Sequence, residues 1–245
     1  MARPPLSTDA LVATSRALLV QGGPDAVVVR EVARRLGVTA PALYRHVSGR
    51  DDLLTLLIAA CVDEVTGVCA AAVAACGPGD VEGRLRGATW AFRDWALQHP
   101  PEFGLVYGTP VARYTAPENG PTVVAMQRFG GLFGSVFTDL LRAGRLRTVP
   151  EDDLDPGVRA DLTTAAAAMG LPMGPGELYP FVVGWHRMLG VVSVEVAGHL
   201  RWAFGDDATA FVRDQLDDLA ADLLVPPARA LAAARDRATS AAPPG

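Results

Sequence analysis

Glu195 and His199 are the pair of residues in this sequence that most resembles a metal site. They are four residues apart, so on one helix they would share a face and could bind a metal ion together. No second histidine-containing pair accompanies them, and we expect both side chains to have packing or interface roles. A helical-bundle metalloenzyme that uses this pair is kept as an alternative.

The three cysteines are a second candidate for chemistry, as a metal or redox sensor. Cys61, Cys69 and Cys76 are separated by eight and seven residues, which places them near one stripe of a helix. Residues seven apart lie about 10 Å apart along a helix axis, too far for a disulfide. We therefore expect free cysteines packed as small apolar residues, in a reducing compartment.

Motifs for phosphate binding and for nucleophilic catalysis are missing from the sequence. Gly130-Gly131 lacks the lysine of a phosphate-binding loop, because all 22 basic residues are arginine. Ser135 lacks the flanking glycines of a hydrolase elbow, and no strand is predicted before it. The sequence predicts no enzyme, no cofactor and no metal.

Charge is distributed unevenly along the chain. The net charge is −5, yet residues 1–52 contain seven arginines against five acidic residues. Between Glu31 and Asp51 lie four arginines and no acidic residue. A small basic region attached to an acidic body is typical of a DNA-binding module joined to another domain.

The elements that must position these arginines are helices. Apolar residues recur with a helical period between breaks that contain Gly or Pro, and no alternating run indicates a strand. The fold class is therefore predicted to be all-α. The first helix starts from a cap at Ser7, Thr8 or Asp9 and stops at residues 21–24; the others are predicted near 29–36, 39–47, 49–75, 81–99, 120–143, 157–169, 177–204 and 207–224. Residues 100–119, 144–156 and 170–176 are predicted linkers.

Membrane insertion and secretion are not predicted. The most apolar stretch, Met188–Leu200, carries Glu195 and His199, so we expect no bilayer span. The first 25 residues lack the basic-then-apolar pattern of a signal peptide. We expect a cytoplasmic protein.

Residues 29–50, VREVARRLGVTAPALYRHVSGR, carry the most specific pattern. Ala33 provides the small residue where two short helices cross, and Gly37 tolerates a positive φ in the turn between them. The apolar residues that would hold this pair against a third helix are Val32, Leu36, Val38, Leu43 and Val47. The other face of the second helix is short and free of acid, as insertion into a DNA major groove requires.

Over about residues 7–67 the chain resembles the tetracycline-repressor (TetR) family of bacterial transcription regulators. The resemblance rests on the first helix, on REVARRLGV, on ALYRHV and on the SGRDDLL that starts the fourth helix. It implies a homodimer with a three-helix helix-turn-helix DNA-binding head on a larger helical ligand-binding and dimerisation body. We place the head at residues 1–67, with the helix-turn-helix at about 30–49, and the body at 68–225. Residues 226–245 are an Ala-, Arg- and Pro-rich tail that we expect to be partly disordered.

The resemblance also implies which residues meet DNA. Those toward base edges are Arg30, Thr39, Ala40 and Arg45, and those that hold phosphates are Tyr44, His46 and Arg50. Ala40 presents only a methyl group, so Arg30 and Arg45 are the expected readers of sequence. The chain departs from the family at Val28 and Val29, where Ser or Thr often caps the second helix, and neither valine can do so.

Residues 178–200 resemble the Trp-His-Gly segment of one actinobacterial-type subgroup of the family's C-terminal domains. Arg187 follows Trp185-His186 in place of the motif glycine. In the family this helix lies at the dimer-forming end of the body. The residues predicted to let a partner helix approach closely are Gly190, Val194, Ala197 and Gly198. Packing within one subunit is the alternative reading of this surface.

The aromatic residues of the body either fill its core or line an apolar cavity bounded by helices 81–99, 120–143 and 177–204. The predicted contributors are Trp90, Trp95, Phe103, Tyr107, Phe129, Phe133 and Trp185. The sequence as a whole predicts a repressor that leaves a palindromic operator when a small, largely apolar ligand binds. A helical ligand- or partner-binding protein whose head does not meet DNA is the other alternative.

Overall fold

The protein is described by a computed structural model over residues 6–77 and 79–226; the tail from residue 227 onward lies outside the described residues. Within them the chain forms eleven α-helices and no strand. The helices are α1 (Thr8–Gly22), α2 (Val29–Leu36), α3 (Ala40–Leu43), α4 (Arg50–Ala75), α5 (Val81–Gln98), α6 (Pro100–Tyr107), α7 (Pro121–Arg142), α8 (Pro156–Met169), α9 (Pro175–Val196), α10 (Arg201–Phe204) and α11 (Thr209–Leu223). The all-α prediction is confirmed.

The chain divides into two compact units. Unit 1 holds the described residues through Val68 and again Asp94–Phe129. Unit 2 holds Cys69–Arg93 and the described residues from Gly130 onward. Helices α4, α5 and α7 each supply residues to both units, so the units are not two successive halves of the chain.

The start of unit 1 forms as its local signals indicate. The Ala10 N–H donates to Ser7 Oγ over 3.2 Å at the start of α1. Gly37 ends α2 with φ 59°, a backbone conformation that favours glycine. The Ala42 N–H then donates to Thr39 Oγ1 at 3.3 Å, which starts α3. The core beneath is apolar, since Val32, Leu43 and other stripe residues are buried.

The third helix is shorter than predicted. It covers Ala40–Leu43 instead of residues 39–47, and Tyr44 to His46 lie in the turn that follows. The Val47 N–H still donates to the Leu43 carbonyl at 3.2 Å, so the turn keeps a helical hydrogen bond. Val47 is 3% exposed, so the turn that follows α3 brings an apolar side chain into the core of unit 1 before α4 begins.

Helix α6 occupies part of the segment predicted as a linker at residues 100–119. Its two prolines, Pro100 and Pro101, suggest a break but stand at the first two helical positions. Backbone N–H groups have no intrahelical partner there, so proline costs the helix nothing. Phe103 and Leu105 are buried, and so is the charged Glu102.

The long helix predicted at 177–204 is interrupted after Val196. Gly198 adopts φ 70°, and the His199 N–H donates back to the Val194 carbonyl at 3.0 Å. This is the hydrogen bond of a Schellman helix end, and the glycine permits it because it has no Cβ. Ala197 and Gly198 therefore follow the helix, and Glu195 and His199 do not share a helical face.

Among the described helices, α4 is the one long and apolar enough, by length and composition, to cross a membrane, with a mean hydropathy of 1.9. The expectation that Met188–Leu200 is the most apolar stretch is therefore wrong. The residues that give α4 its hydropathy include buried core residues such as Leu54, Leu57 and Val62. A helix that packs one side into a protein core passes the same test as a membrane span.

Candidate nucleic-acid interface and apolar cavity

The helix-turn-helix presents most of its predicted DNA-binding side chains to solvent. Those that are exposed are Arg30, Thr39, Tyr44, Arg45 and His46, while Ala40 is half-buried. Tyr44 is 56% exposed, although Leu43 beside it is fully buried. A buried anchor thus alternates with exposed polar side chains along one short segment, which is how a recognition surface is supported from behind.

The arginines of this region divide into paired and unpaired ones. Glu31 accepts hydrogen bonds from Arg34 at 2.7 and 2.8 Å and from Arg35 at 3.1 Å, and these bonds lower the pKa of Glu31 to about 2. Arg30 and Arg45 make no ion pair within residues 6–77 and 79–226. Two exposed guanidiniums are therefore available to a ligand, as base reading by arginine requires.

Arg50, the third predicted phosphate contact, is engaged inside unit 1. Its Nη2 donates to the Pro24 carbonyl at 3.1 Å and to Asp25 Oδ1 at 3.0 Å. These bonds tie the short 3-10 turn before α2 to the first residue of α4. A phosphate contact by Arg50 stays a prediction, and it requires the guanidinium to share its donors with these partners.

Ser48, two residues before α4 begins, is hydrogen-bonded to an acidic residue in the first turn of that helix. The Asp52 carboxylate accepts hydrogen bonds from the Ser48 hydroxyl at 2.6 Å and from its backbone N–H at 2.7 Å. These two bonds lower the pKa of Asp52. The Asp52 carboxylate, at the N-terminal end of α4, closes the turn before the helix and also complements the helix dipole.

A polar cluster that sequence reasoning missed connects α1 with three other helices of unit 1. We call it the Arg16 cluster; its members are Arg16, Glu64, Trp95, His99 and Glu102. Arg16 Nη2 donates to Glu64 Oε2 at 2.5 Å, and Arg16 Nε lies 3.8 Å from Glu102 Oε1. Burial lowers the pKa of Arg16, but the bond to Glu64 and the carboxylate charges outweigh it and raise the pKa overall.

The remaining members converge on the same carboxylate. Trp95 Nε1 donates to Glu64 Oε1 at 3.2 Å, and His99 Nε2 lies 3.4 Å from that oxygen. The Trp95 and His99 rings stack with their centroids 5.3 Å apart. Because Glu102 is only 3% exposed, its charge depends on Arg16 for compensation. The cluster thus joins α1, the first helix of the head, to α4, α5 and α6.

Unit 2 contains an apolar cavity between α5, α7, α9 and α11. Its aromatic lining is Trp90, Phe133, Phe137, Phe181 and Trp185, and α11 adds aliphatic side chains such as Leu216 and Leu223. The free volume is about 40 Å³, which holds only a few water molecules. Known ligand pockets are typically about 300–1,000 Å³, so a larger ligand requires the lining to move apart.

Three of the seven aromatic residues predicted to meet a ligand line this cavity: Trp90, Phe133 and Trp185. The other four belong to unit 1 and are not among the lining residues: Trp95, Phe103, Tyr107 and Phe129. Helix α11, which sequence reasoning did not connect with the cavity, supplies one of its four walls. Nothing in the local sequence of α11 distinguishes a cavity wall from ordinary core packing.

Glu195 is already paired, so it is not free to bind a metal. Arg93 Nε donates to Glu195 Oε2 at 2.8 Å, and Arg93 Nη2 also donates to Thr209 Oγ1 at 3.1 Å. Both side chains of this ion pair are buried, at 6% and 8% exposure. Within the part of the chain that the structure describes, no group of three His, Cys, Asp or Glu residues could hold a metal ion. The metalloenzyme alternative therefore loses its candidate site.

The cysteines are free thiols in a packed environment. Cys61 and Cys69 are buried, and burial raises their pKa values to about 11 and about 12. Cys76 is half-buried, and its thiol donates to the Ala72 carbonyl at 3.5 Å. At neutral pH the two buried thiols are protonated and poorly nucleophilic, which agrees with a packing role.

The predicted dimer surface is open to solvent. Gly190, Val194 and Ala197 are exposed, and Gly198 is half-buried. Gly190 and Val194 line an apolar groove with Val191, Leu200, Phe211 and Gln215. Trp202, two residues after Leu200, is 87% exposed. The groove residue Leu200 and the exposed Trp202 are thus two positions apart in unit 2.

Comparison with known proteins identifies the class to which this fold and this surface belong. Residues 11–57 match the family of bacterial regulatory proteins named after TetR, and residues 85–219 match the tetracyclin repressor-like C-terminal domain. The chain belongs to the TetR family of transcriptional regulators, which are not enzymes. This confirms the resemblance stated from the sequence, although the Trp-His-Gly subgroup stays a prediction.

Individual relatives agree with this family. The HTH-type transcriptional regulator Rv1816 of Mycobacterium tuberculosis is 30% identical over 193 residues, which is 77% of this chain and 80% of the relative. Mb1846 of Mycobacterium bovis, also named an HTH-type transcriptional regulator, matches equally well. The crystal structure of the regulatory protein SCO4313 is 27% identical and covers 86% of this chain and 94% of its own, with a TM-score of 0.68.

Proposed function

We propose that this regulator is a homodimeric repressor that binds a palindromic operator and leaves it when a small, largely apolar ligand enters the cavity of unit 2. The observation that carries DNA binding is the exposed surface around α3, where Arg30 and Arg45 have no ion-pair partner within the described residues. We assign base contacts to Arg30, Arg45, Thr39 and Ala40, and phosphate contacts to Tyr44, His46 and Arg50. In a two-fold dimer, two such surfaces would enter successive major grooves about 34–36 Å apart.

The test of DNA binding is a fluorescence-anisotropy titration with the duplex upstream of the protein's own gene and with a random duplex of equal length. We expect tighter binding to the upstream duplex, and affinity that falls steeply as salt is raised because each phosphate contact releases counterions. A chain that binds neither duplex in dilute buffer would contradict the proposal. The alternative of a ligand- or partner-binding protein without DNA binding would then replace it.

The dimer is supported by the exposed apolar groove and by the exposed Trp202, which follows the groove residue Leu200 by two positions in the chain. Large exposed apolar patches on a folded protein often mark a protein–protein interface. A two-fold partner would bring the same patch to both sides of the interface, so each subunit would offer both a groove and an indole. Sedimentation equilibrium at micromolar concentration tests this, and a strictly monomeric protein would contradict it.

Ligand release is supported by the size of the cavity. Because its free volume is about 40 Å³, a larger apolar ligand binds only an arrangement in which the lining has moved apart. Such a ligand has different affinities for the two arrangements, as any conformational switch requires. Coupling of about 1–3 kcal/mol would lower operator affinity roughly 5- to 150-fold. We place this regulator in the cytoplasm, without a cofactor and without a membrane partner.

A further inference from the structure

Few polar groups face the cavity, and they determine which class of ligand it can bind. Apart from the indole N–H groups of Trp90 and Trp185, its lining is apolar except for Thr89, Arg86 and Asp217. The Thr89 hydroxyl is occupied, because it donates to the Leu85 carbonyl of its own helix at 2.9 Å. A ligand with a polar group would therefore meet Arg86 and Asp217.

Arg86 and Asp217 stand at the solvent side of this lining and are paired with each other. Arg86 Nη1 donates to Asp217 Oδ1, and the two side chains are 40% and 52% exposed. The aromatic lining is deeper, since Phe133 and Phe137 are only 5% and 3% exposed. Exposed ion pairs contribute little to stability, so a charged ligand group can join or replace one of the partners at small cost.

Charged side chains also surround Trp90, outside the cavity lining. Two guanidiniums lie over its ring: the Cζ atom of Arg93 is 5.0 Å from the ring centroid and that of Arg213 is 5.7 Å. Arg93 is neutralised by Glu195, as described above, and the nearby Asp207 accepts a hydrogen bond from the Thr209 N–H at 2.9 Å. Arg213 has no ion pair among the described residues.

The lining itself thus holds one guanidinium, of Arg86, and one carboxylate, of Asp217, and the guanidinium of Arg213 lies outside the lining but over the ring of Trp90. A guanidinium has five N–H donors, and Asp217 is the acceptor of Arg86 within the described ranges. Arginine is also the side chain whose planar donor pair best matches a carboxylate. Arg86 and Arg213 can thus bind a ligand carboxylate without leaving a buried charge unpaired.

We propose that the effector is an apolar organic acid, whose carboxylate is bound by Arg86 and Arg213 while its hydrocarbon body lies among the aromatic side chains of the cavity. This inference rests on the proposed effector role of the cavity. The arrangement that supports it is the guanidinium of Arg86 at the exposed part of the lining, the guanidinium of Arg213 over Trp90, and buried aromatic rings in the rest of the lining. A neutral ligand would leave the guanidiniums unused, and a cationic one would face two of them.

Isothermal titration calorimetry of the full chain without DNA tests this with three probes that share one body. These are 4-phenylbutyric acid, 4-phenylbutan-1-ol and 4-phenylbutylamine, which at neutral pH are an anion, a neutral molecule and a cation. We expect the acid to bind about tenfold or more tightly than the other two, the effect of one charge-assisted hydrogen-bonded pair. Arg86→Gln and Arg213→Gln should each remove most of this preference.

The matched control is Arg187→Gln. Arg187 is an exposed arginine of α9 that pairs with Asp222 of α11 at 2.7 Å and does not line the cavity. It should leave the binding of all three probes unchanged. The inference is overturned if the alcohol or the amine binds as tightly as the acid, if no probe binds, or if the acid binds equally to both arginine variants.

This experiment separates the inference from the proposed function. If the acid binds as expected but the operator complex is unaffected by it, the release step is wrong and the ligand class stands. If no duplex binds the chain while the acid does, DNA binding is wrong and the ligand class again stands.

Discussion

At the scale of single residues, the proposed interface separates side chains that can read sequence from those that can only hold the backbone. Arg45 is exposed and free of ion pairs in the described part of the chain, whereas the neighbouring Tyr44 offers one hydroxyl. A guanidinium can bond two acceptors on a base edge, but a phosphate contact carries no sequence information. Substitutions of Arg45 and Tyr44 should therefore have different effects on DNA binding.

Arg45→Ala is expected to change base preference as well as affinity. The loss should be about 1–3 kcal/mol at one operator position and little elsewhere, because that position alone loses its partner. Tyr44→Phe is the matched comparison, and it should weaken binding evenly across operator variants. Affinities for a set of single-base operator variants measure both effects. A changed base preference in Tyr44→Phe would reverse the two assignments.

The buried thiols give a second prediction at this scale. Burial raises the pKa values of Cys61 and Cys69 to about 11 and about 12, so neither forms a thiolate at pH 7–8. Ellman's reagent should therefore modify the half-buried Cys76 first and the other two only after denaturation. Three thiols that react at one rate in the native protein would show that Cys61 and Cys69 are accessible.

At the scale of elements, the sequence predicts helices well where their ends carry local signals. The bounds of α2 were predicted correctly because Gly37 ends it, and α8 was placed within a residue because Gly170 does the same. Helix α6 was missed because its two leading prolines indicate a break, although they occupy positions where proline is tolerated. The interruption at Gly198 was missed because the helical period continues on both sides of it.

Contacts between distant elements could not be predicted in the same way. Arg16 and Glu64 are 48 residues apart, and neither position has a neighbour that indicates a partner. Glu102 belongs to α6. Because residues 100–119 are predicted as a linker from the sequence, the buried charge of Glu102 is not predicted either. For the same reason the sequence predicts three of the four helices that surround the cavity, and the contribution of the fourth, α11, is seen only in the structure.

The Arg16 cluster predicts a role for α6 in the geometry of DNA binding. Arg16 is shared between Glu64 at 2.5 Å and the buried Glu102 at 3.8 Å, so it holds α1 against both α4 and α6. Glu102→Gln keeps the shape of the side chain and removes its charge. We expect a few-fold loss of operator affinity and a weaker preference for one half-site spacing, because α1 is held less firmly.

The measurement is operator affinity over palindromes whose half-site spacing differs by one base pair at a time. Arg128→Met is the control, because it breaks the exposed pair of Arg128 with Asp63 at 2.6 Å in the same unit without reaching α1. A purely structural role for Glu102 predicts equal weakening at every spacing. That result, or an equal change in the control, would contradict the positioning role.

At the scale of the whole molecule, the proposed function depends on two copies of the chain. A recognition segment as short as α3, which has four regular helical residues, touches few bases by itself. Two copies at a set distance double the contact and select for palindromes. The proposed dimer surface of unit 2 is thus as important for operator choice as the head is.

Trp202 is the residue on which this surface should depend most. Its indole is 87% exposed, and a tryptophan that becomes buried removes about 150–250 Å² from water. At about 25 cal/mol per Å² this is roughly 4–6 kcal/mol per subunit if the side chain becomes fully buried, and a two-fold dimer counts it twice. Trp202→Ala should therefore raise the dimer dissociation constant at least about a hundredfold.

Sedimentation equilibrium measures this change, and operator affinity should fall with it because the monomer offers only one recognition segment. Tyr179→Ala is the control, since Tyr179 of α9 is also an exposed aromatic residue, at 36%, but lies about three helical turns before the first groove residue, Gly190. If Trp202→Ala dimerises as tightly as this control, the interface lies elsewhere on the chain. The groove of Gly190 and Val194 would then be an exposed apolar surface without a role in dimerisation.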